Sequence, residues 1–76
     1  MLYHEATFLH QLLDRAKQTF HSTAQEAALI GEEANVRRLI LGHISSRYES
    51  GEQHQAEARQ FFESALVVED GDVYKL

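Results

Sequence analysis

The run Leu39-Ile40-Leu41 constrains the fold more than any other stretch of this chain. Successive side chains of a strand point to opposite faces, so an unbroken apolar run belongs to a strand covered on both sides. The strand reading extends over Val36 to Leu41. Its cover has to come from flanking elements, and the flanking periodicities are helical. Between Thr7 and Phe20, the residues Phe8, Leu9, Leu12, Leu13, Ala16 and Phe20 recur at helical spacing, with Thr7 as N-cap. A second helix begins after His21. Thr23 and Glu26 stand in capping-box spacing, as do Ser22 and Gln25, and Asn35 is its stop. Ala24, Ala27, Ala28 and Ala34 give this helix a small face suited to close packing.

Downstream, Ser50 and Gln53 offer a further capping box. The helix they would start places Ala58, Phe61, Phe62 and Ala65 on one face. Leu66-Val67-Val68 reads as a strand. Asp70-Gly71 is a hairpin signal, with a return strand through Val73-Tyr74-Lys75-Leu76. With Leu2-Tyr3-His4 as a strand end, the order is β-α-α-β-α-β-β, an α/β fold. A chain of 76 residues makes a single domain or fragment over 1–76, with marginal stability of its own.

Composition narrows the function classes. No apolar stretch is long enough to cross a membrane, and the first residues do not read as a signal peptide. The absence of cysteine excludes a disulfide framework and a thiolate zinc site, which fits a cytoplasmic protein. Seven Lys and Arg stand against twelve Asp and Glu, for a net charge of −5. Nucleic-acid binders draw affinity from neutralising phosphates, so the isolated chain is a poor candidate for binding RNA.

Three short segments hold the residues with chemical potential: His4-Glu5-Ala6-Thr7, His21-Ser22-Thr23, and Gly42-His43-Ile44-Ser45-Ser46-Arg47-Tyr48. His43 follows the C-terminal end of the buried strand, where α/β folds place their sites. It reads either as a metal ligand or as a histidine hydrogen-bonded at a strand end. His21 precedes a helix N-terminus, and a phosphate could rest on the free amides of Ser22, Thr23 and Ala24 beside it. His21 is then a proton donor, or else a residue before the helix with no role. Glu5 either favours a helix dipole or orients a histidine. Arg47 contacts phosphate or pairs with Glu49 or Glu52. His4 is expected to pack at the strand end and His10 to be solvated. His54 is expected on an exposed helix face with no role.

The three segments, in this order, resemble the last part of ribonuclease Z, a metal-dependent endonuclease that trims tRNA 3′ ends. They match its HEAT loop, its HST loop and its final metal-ligand motif, and the likeness runs from Leu2 to Leu76. The resemblance implies the C-terminal part of a metallo-β-lactamase-like αββα fold. It implies that His43 ligates one of two zinc ions, that His21 assists the leaving group and that Glu5 orients His21. Ser22, Thr23 and Arg47 would then meet a precursor tRNA. The family's His-x-His-x-Asp-His segment is absent from this sequence. A truncated piece is therefore expected, inactive alone and holding no zinc tightly. The alternative is a small non-catalytic α/β module whose function is association. Missing strand partners would favour a homo-oligomer, with the central strand or Phe8, Leu12 and Leu13 at the contact.

Overall fold

The computed structural model describes residues 1–68. The elements are β1 (Leu2–Glu5), a 3-10 turn (His10–Leu12), α1 (Leu13–Gln18), α2 (Ala24–Glu33), β2 (Leu39–Gly42), α3 (Glu52–Arg59) and β3 (Leu66–Val67). The Asp70-Gly71 hairpin and the strand after it lie outside the described residues. Up to β3 the element order is the expected one.

The strands form one sheet in the order β1-β2-β3, parallel throughout. Leu2 pairs with Leu39 and Glu5 with Gly42, so the carboxyl ends of β1 and β2 finish side by side. Parallel neighbours need crossovers, which α1 with α2 and then α3 supply. All of β2 is buried, and both its edges are paired. The apolar run predicts a strand covered on both faces, and β2 is one; with both edges paired, its backbone offers no open edge for contact with another chain. Val36 to Arg38 precede the strand rather than belonging to it.

Leu39, Leu41, Ala24, Ala27, Ala28, Ala58, Phe62 and Ala65 form the core between the sheet and the helices. The small face of α2 is what lets it approach. A Cβ on Gly31 would stand 3.2 Å from a Leu39 methyl and 3.4 Å from the Phe62 ring. On the other sheet face, a Cβ on Gly42 would overlap the Tyr3 side chain.

α2 begins and ends as its sequence specifies. Thr23 Oγ1 accepts from the Glu26 amide (3.2 Å), and the Glu26 carboxylate accepts from the Thr23 amide (3.0 Å), a complete capping box. Asn35 ends it in the left-handed region, φ 56°. The Asn35 and Val36 amides turn back to the Glu32 and Gly31 carbonyls, a Schellman closure. Thr23→Ala should cost about 0.5–2 kcal/mol, since Ala leaves an orphan amide. A chemical-denaturation midpoint checks this, and an unchanged midpoint would refute it.

Three other helix expectations fail for tertiary reasons. α1 starts at Leu13, not Thr7. Residues 6–9 are held extended instead: Ala6 donates to the Gly42 carbonyl (2.9 Å), Ser45 donates to Thr7, and Ala24 donates to Phe8. Phe20 is 95% exposed with φ 60°, off any apolar face. α3 is preceded by Gly51 with no side-chain cap, and Ser50 Oγ accepts from the Glu52 amide (3.3 Å) rather than forming a capping box with Gln53. Phe8 is 5% exposed, so it is not available as an oligomer contact, whereas Leu12 and Leu13 are half-buried.

Candidate active site

The carboxyl ends of β1 and β2 and the N-terminus of α2 converge on one point. Glu5 ends β1, His43 follows β2, and His21 precedes α2 by two residues before its cap, Thr23. Among the described residues, potential ligand atoms of Glu5, His21 and His43 all lie within 4.8 Å of one another. The two imidazoles stack, with centroids 5.3 Å apart and planes 25° apart. Phe8 stands edge-on to His21 at 6.2 Å. His43 has φ 57°, in the left-handed region, where a non-glycine residue stores about 1–3 kcal/mol of strain. Such strain persists only where surrounding contacts impose it, here at the turn that aims the ring at His21.

The carboxylate is fully engaged. Glu5 Oε2 accepts from the Thr7 hydroxyl (2.6 Å) and the Thr7 amide (3.2 Å), and Oε1 accepts from the Ser22 amide. His21 Nδ1 stands 3.5 Å from Oε2. Partial burial by itself pushes the Glu5 carboxyl up. The hydrogen bonds from Thr7 and Ser22 outweigh it and hold the pKa below the ordinary value of 4.5. A depressed carboxyl stabilises the fold above its unfolded pKa. That contribution is lost as pH falls from about 4.5 through the lower folded value, because the unfolded chain takes up the proton first. Stability should therefore drop in that acid window for the wild type, and the slope should shrink for Glu5→Gln. Equal slopes in denaturation melts across the window would contradict this.

Each residue singled out from sequence has a definite place. Ser22 sits in the loop with its amide on Glu5. Thr23 is the buried cap, with Oγ1 turned to the Glu26 amide and to His10 Nδ1 (2.9 Å), so its hydroxyl is already in use. Arg47 is exposed, with its guanidinium 5.7 Å from the Phe8 centroid, and among the described residues it makes no ion pair with Glu49 or Glu52. His4 Nδ1 lies 2.6 Å from the Glu5 carbonyl. His10 is tied to Thr23 rather than solvated.

His54 is the clear correction. It is fully buried, not exposed. Its Nε2–H donates to the Thr7 carbonyl (3.4 Å), and its ring meets Tyr48 edge-on at 4.6 Å. Tyr48 Oη in turn accepts from the Leu9 amide (3.1 Å). The signal was present as His54 and Ala58 at four-residue spacing, one face of α3. Two further residues were missed. Thr7 joins all three site side chains through its hydroxyl. Glu57 of α3 accepts from the His10 amide with both oxygens (3.0 and 3.1 Å) and from the Gln25 amide (3.0 Å). It thereby ties α3 to the start of α2. Thr7 belongs to a segment already of interest, whereas nothing in the sequence marks Glu57.

Among the described residues no helix is long and apolar enough to cross a membrane. No protein-family model matches the chain. Curated relatives do. Over 74 residues the chain is 43% identical to a ribonuclease Z of Cytophaga hutchinsonii, covering 97% of this chain and 24% of that protein. It is 48% identical over 71 residues to a ribonuclease Z of Parabacteroides distasonis, covering 93% of this chain and 23% of that protein. It is 45% identical over 76 residues to a ribonuclease Z of Salinibacter ruber, covering 100% of this chain and 24% of that protein. The chain thus spans less than a quarter of the relatives it matches.

Proposed function

We propose that this chain is the C-terminal segment of a ribonuclease Z-type, metal-dependent endonuclease that removes the 3′ trailer of precursor tRNA by phosphodiester hydrolysis. The observation that carries the reading is the meeting of Glu5, His21 and His43 within 4.8 Å, from segments far apart in sequence. Identity of 43–48% with ribonuclease Z over nearly the whole chain supports it. The parent domain would have the αββα architecture of metallo-β-lactamases, and a cytoplasmic setting goes with that substrate.

The donor set fits zinc. Imidazole nitrogen and carboxylate oxygen are ordinary zinc ligands, and they are grouped on one side of the sheet end. His43 would hold metal through Nε2, because its Nδ1 faces the Thr7 hydroxyl at 2.9 Å. The metal, when bound, would supply Lewis acidity and lower the pKa of a water that could serve as nucleophile. His21, ahead of the α2 N-terminus, would as an imidazolium give its Nε2 proton to the leaving 3′ oxygen and return to the neutral Nδ1–H ring. Glu5 holds the Ser22 amide and faces His21, so it would fix the approach of that ring. Arg47 and the Ser22–Thr23 turn would meet substrate phosphates. One histidine ligand cannot hold two cations, so the chain alone would be inactive and would bind zinc weakly. Self-association of the isolated chain belongs to the same reading, through the outer edge of β1 or through Leu12 and Leu13.

A chimera tests this, with the present chain replacing its matching segment in the Salinibacter ruber relative. The chimera should cleave precursor tRNA with zinc or manganese and lose activity to a chelator, while the isolated chain should not cleave under either condition. A folded chimera without activity would refute the reading. So would metal-dependent cleavage by the isolated chain that His43→Ala abolishes, since that would make the chain a complete enzyme.

A further inference from the structure

We propose that the Thr7 hydroxyl is the positioning group of this site, fixing the ring nitrogens of His43 and His21 so that Nδ1–H points inward and Nε2 is left to face ligand or substrate. The inference rests on the ligand role given to His43 above and deepens it.

The argument is one of proton counting. A threonine hydroxyl has one proton and two lone pairs, and an ionised carboxylate only accepts. Thr7 Oγ1 lies 2.6 Å from Glu5 Oε2, the separation of a charge-assisted O–H···O bond. Its proton is therefore committed to Glu5. Toward the imidazoles Oγ1 can only accept. His43 Nδ1, at 2.9 Å, must then carry a hydrogen. His21 Nδ1, at 3.3 Å from Oγ1 and 3.5 Å from Glu5 Oε2, faces acceptors alone. A neutral imidazole has one N–H, so Nε2 of each ring is the bare nitrogen.

Glu5 does not do this by itself. Its Oε1 is occupied by the Ser22 amide, and among the described residues no hydrogen bond joins it to His43. Among the described residues, the Thr7 hydroxyl is the hydrogen-bonding link from that carboxylate to the His43 ring. Thr7 is itself firmly held. It is 4% exposed. Its amide is on Glu5 (3.2 Å), and its carbonyl takes the Ser45 amide (3.0 Å) and His54 Nε2 (3.4 Å). Buried His54, with half-buried Tyr48 against it, thus braces the segment that aims the hydroxyl. Partners behind a ligating histidine commonly set its tautomer in this way.

The test uses nitrogen-15 spectra of the histidine rings in the metal-free 76-residue chain, with the rings neutral. Wild type and Thr7→Ser should show His43 Nδ1 as a protonated, pyrrole-type nitrogen and Nε2 as pyridine-type. Thr7→Val keeps the shape and removes the hydroxyl, so its His43 should move toward the Nε2–H tautomer that free histidine favours. In the chimera, Thr7→Val should weaken zinc binding about 10–100-fold, with Thr7→Ser near wild type. A pyridine-type His43 Nδ1 in the wild-type chain would overturn the proposal, even if Thr7→Val failed to fold. An unchanged tautomer in folded Thr7→Val would overturn it too. A chimera that lacks activity while His43 keeps the expected tautomer would count against the endonuclease reading and support the role of Thr7.

Discussion

In the chimera, His21→Ala should slow single-turnover cleavage of precursor tRNA about 10²–10⁴-fold, the usual worth of a positioned general acid, while bound metal stays constant. The expectation follows from how the ring is held. Its Nδ1 is turned to Thr7 and Glu5, Phe8 stands against its edge, and His43 stacks on it, so Nε2 is the nitrogen facing outward. The N-terminus of α2 follows directly, an electrostatic environment that receives phosphate. His43→Ala should behave differently, losing metal and activity together. The paired outcome separates two histidines that geometry alone groups as equivalent donors. Loss of metal in His21→Ala would make it a ligand. Unchanged single-turnover cleavage would remove it from the chemistry.

Leu39→Ala should destabilise the chain by about 2–5 kcal/mol, as a fully buried leucine truncated in a packed core does. A domain of this size has roughly 4–11 kcal/mol in total, taking 0.05–0.15 kcal/mol per residue, so the variant should be close to unfolding. The site of truncation cannot collapse easily. Leu39 lies in the central strand, paired on one side by Leu2, with Gly31 of α2 and Phe62 closing over it. Urea melts of wild type, Leu39→Ala and Phe20→Ala decide the matter. Phe20 is 95% exposed, and its replacement should shift stability by less than about 0.5 kcal/mol. Equal losses in both variants would mean that the core is not where burial puts it.

Features whose partners lie a few residues apart were legible in the chain itself. The Thr23–Glu26 capping box and the Asn35 stop involve atoms that a helix brings together by its own geometry. Leu39-Ile40-Leu41 declared a strand covered on both sides, because side-chain alternation leaves an unbroken apolar run no exposed face. Glu5, His21 and His43 were picked out by short strings in a fixed order, and the parallel register of β1 with β2 brings the first and last of them together.

What the chain did not disclose depends on partners remote in sequence. The apolar periodicity from Phe8 to Phe20 suits a helix, yet residues 6–9 stay extended, because Gly42, Ser45 and Ala24 offer their backbone groups better partners. Thr7 consequently leaves its place as a cap and becomes the hinge of the hydrogen-bond network. His54 looks polar enough for solvent, but α3 turns it inward onto Tyr48 and the Thr7 carbonyl. Glu57 becomes a tie only because α3 lies against the start of α2. The sequence by itself determined the order of strands and helices up to β3 and which side chains near the sheet end can donate or accept, since those follow from local geometry and side-chain chemistry. Only the tertiary structure decided which hydrogen bond each polar group makes, since buried donors and acceptors must find partners and the packed fold chooses among those within reach.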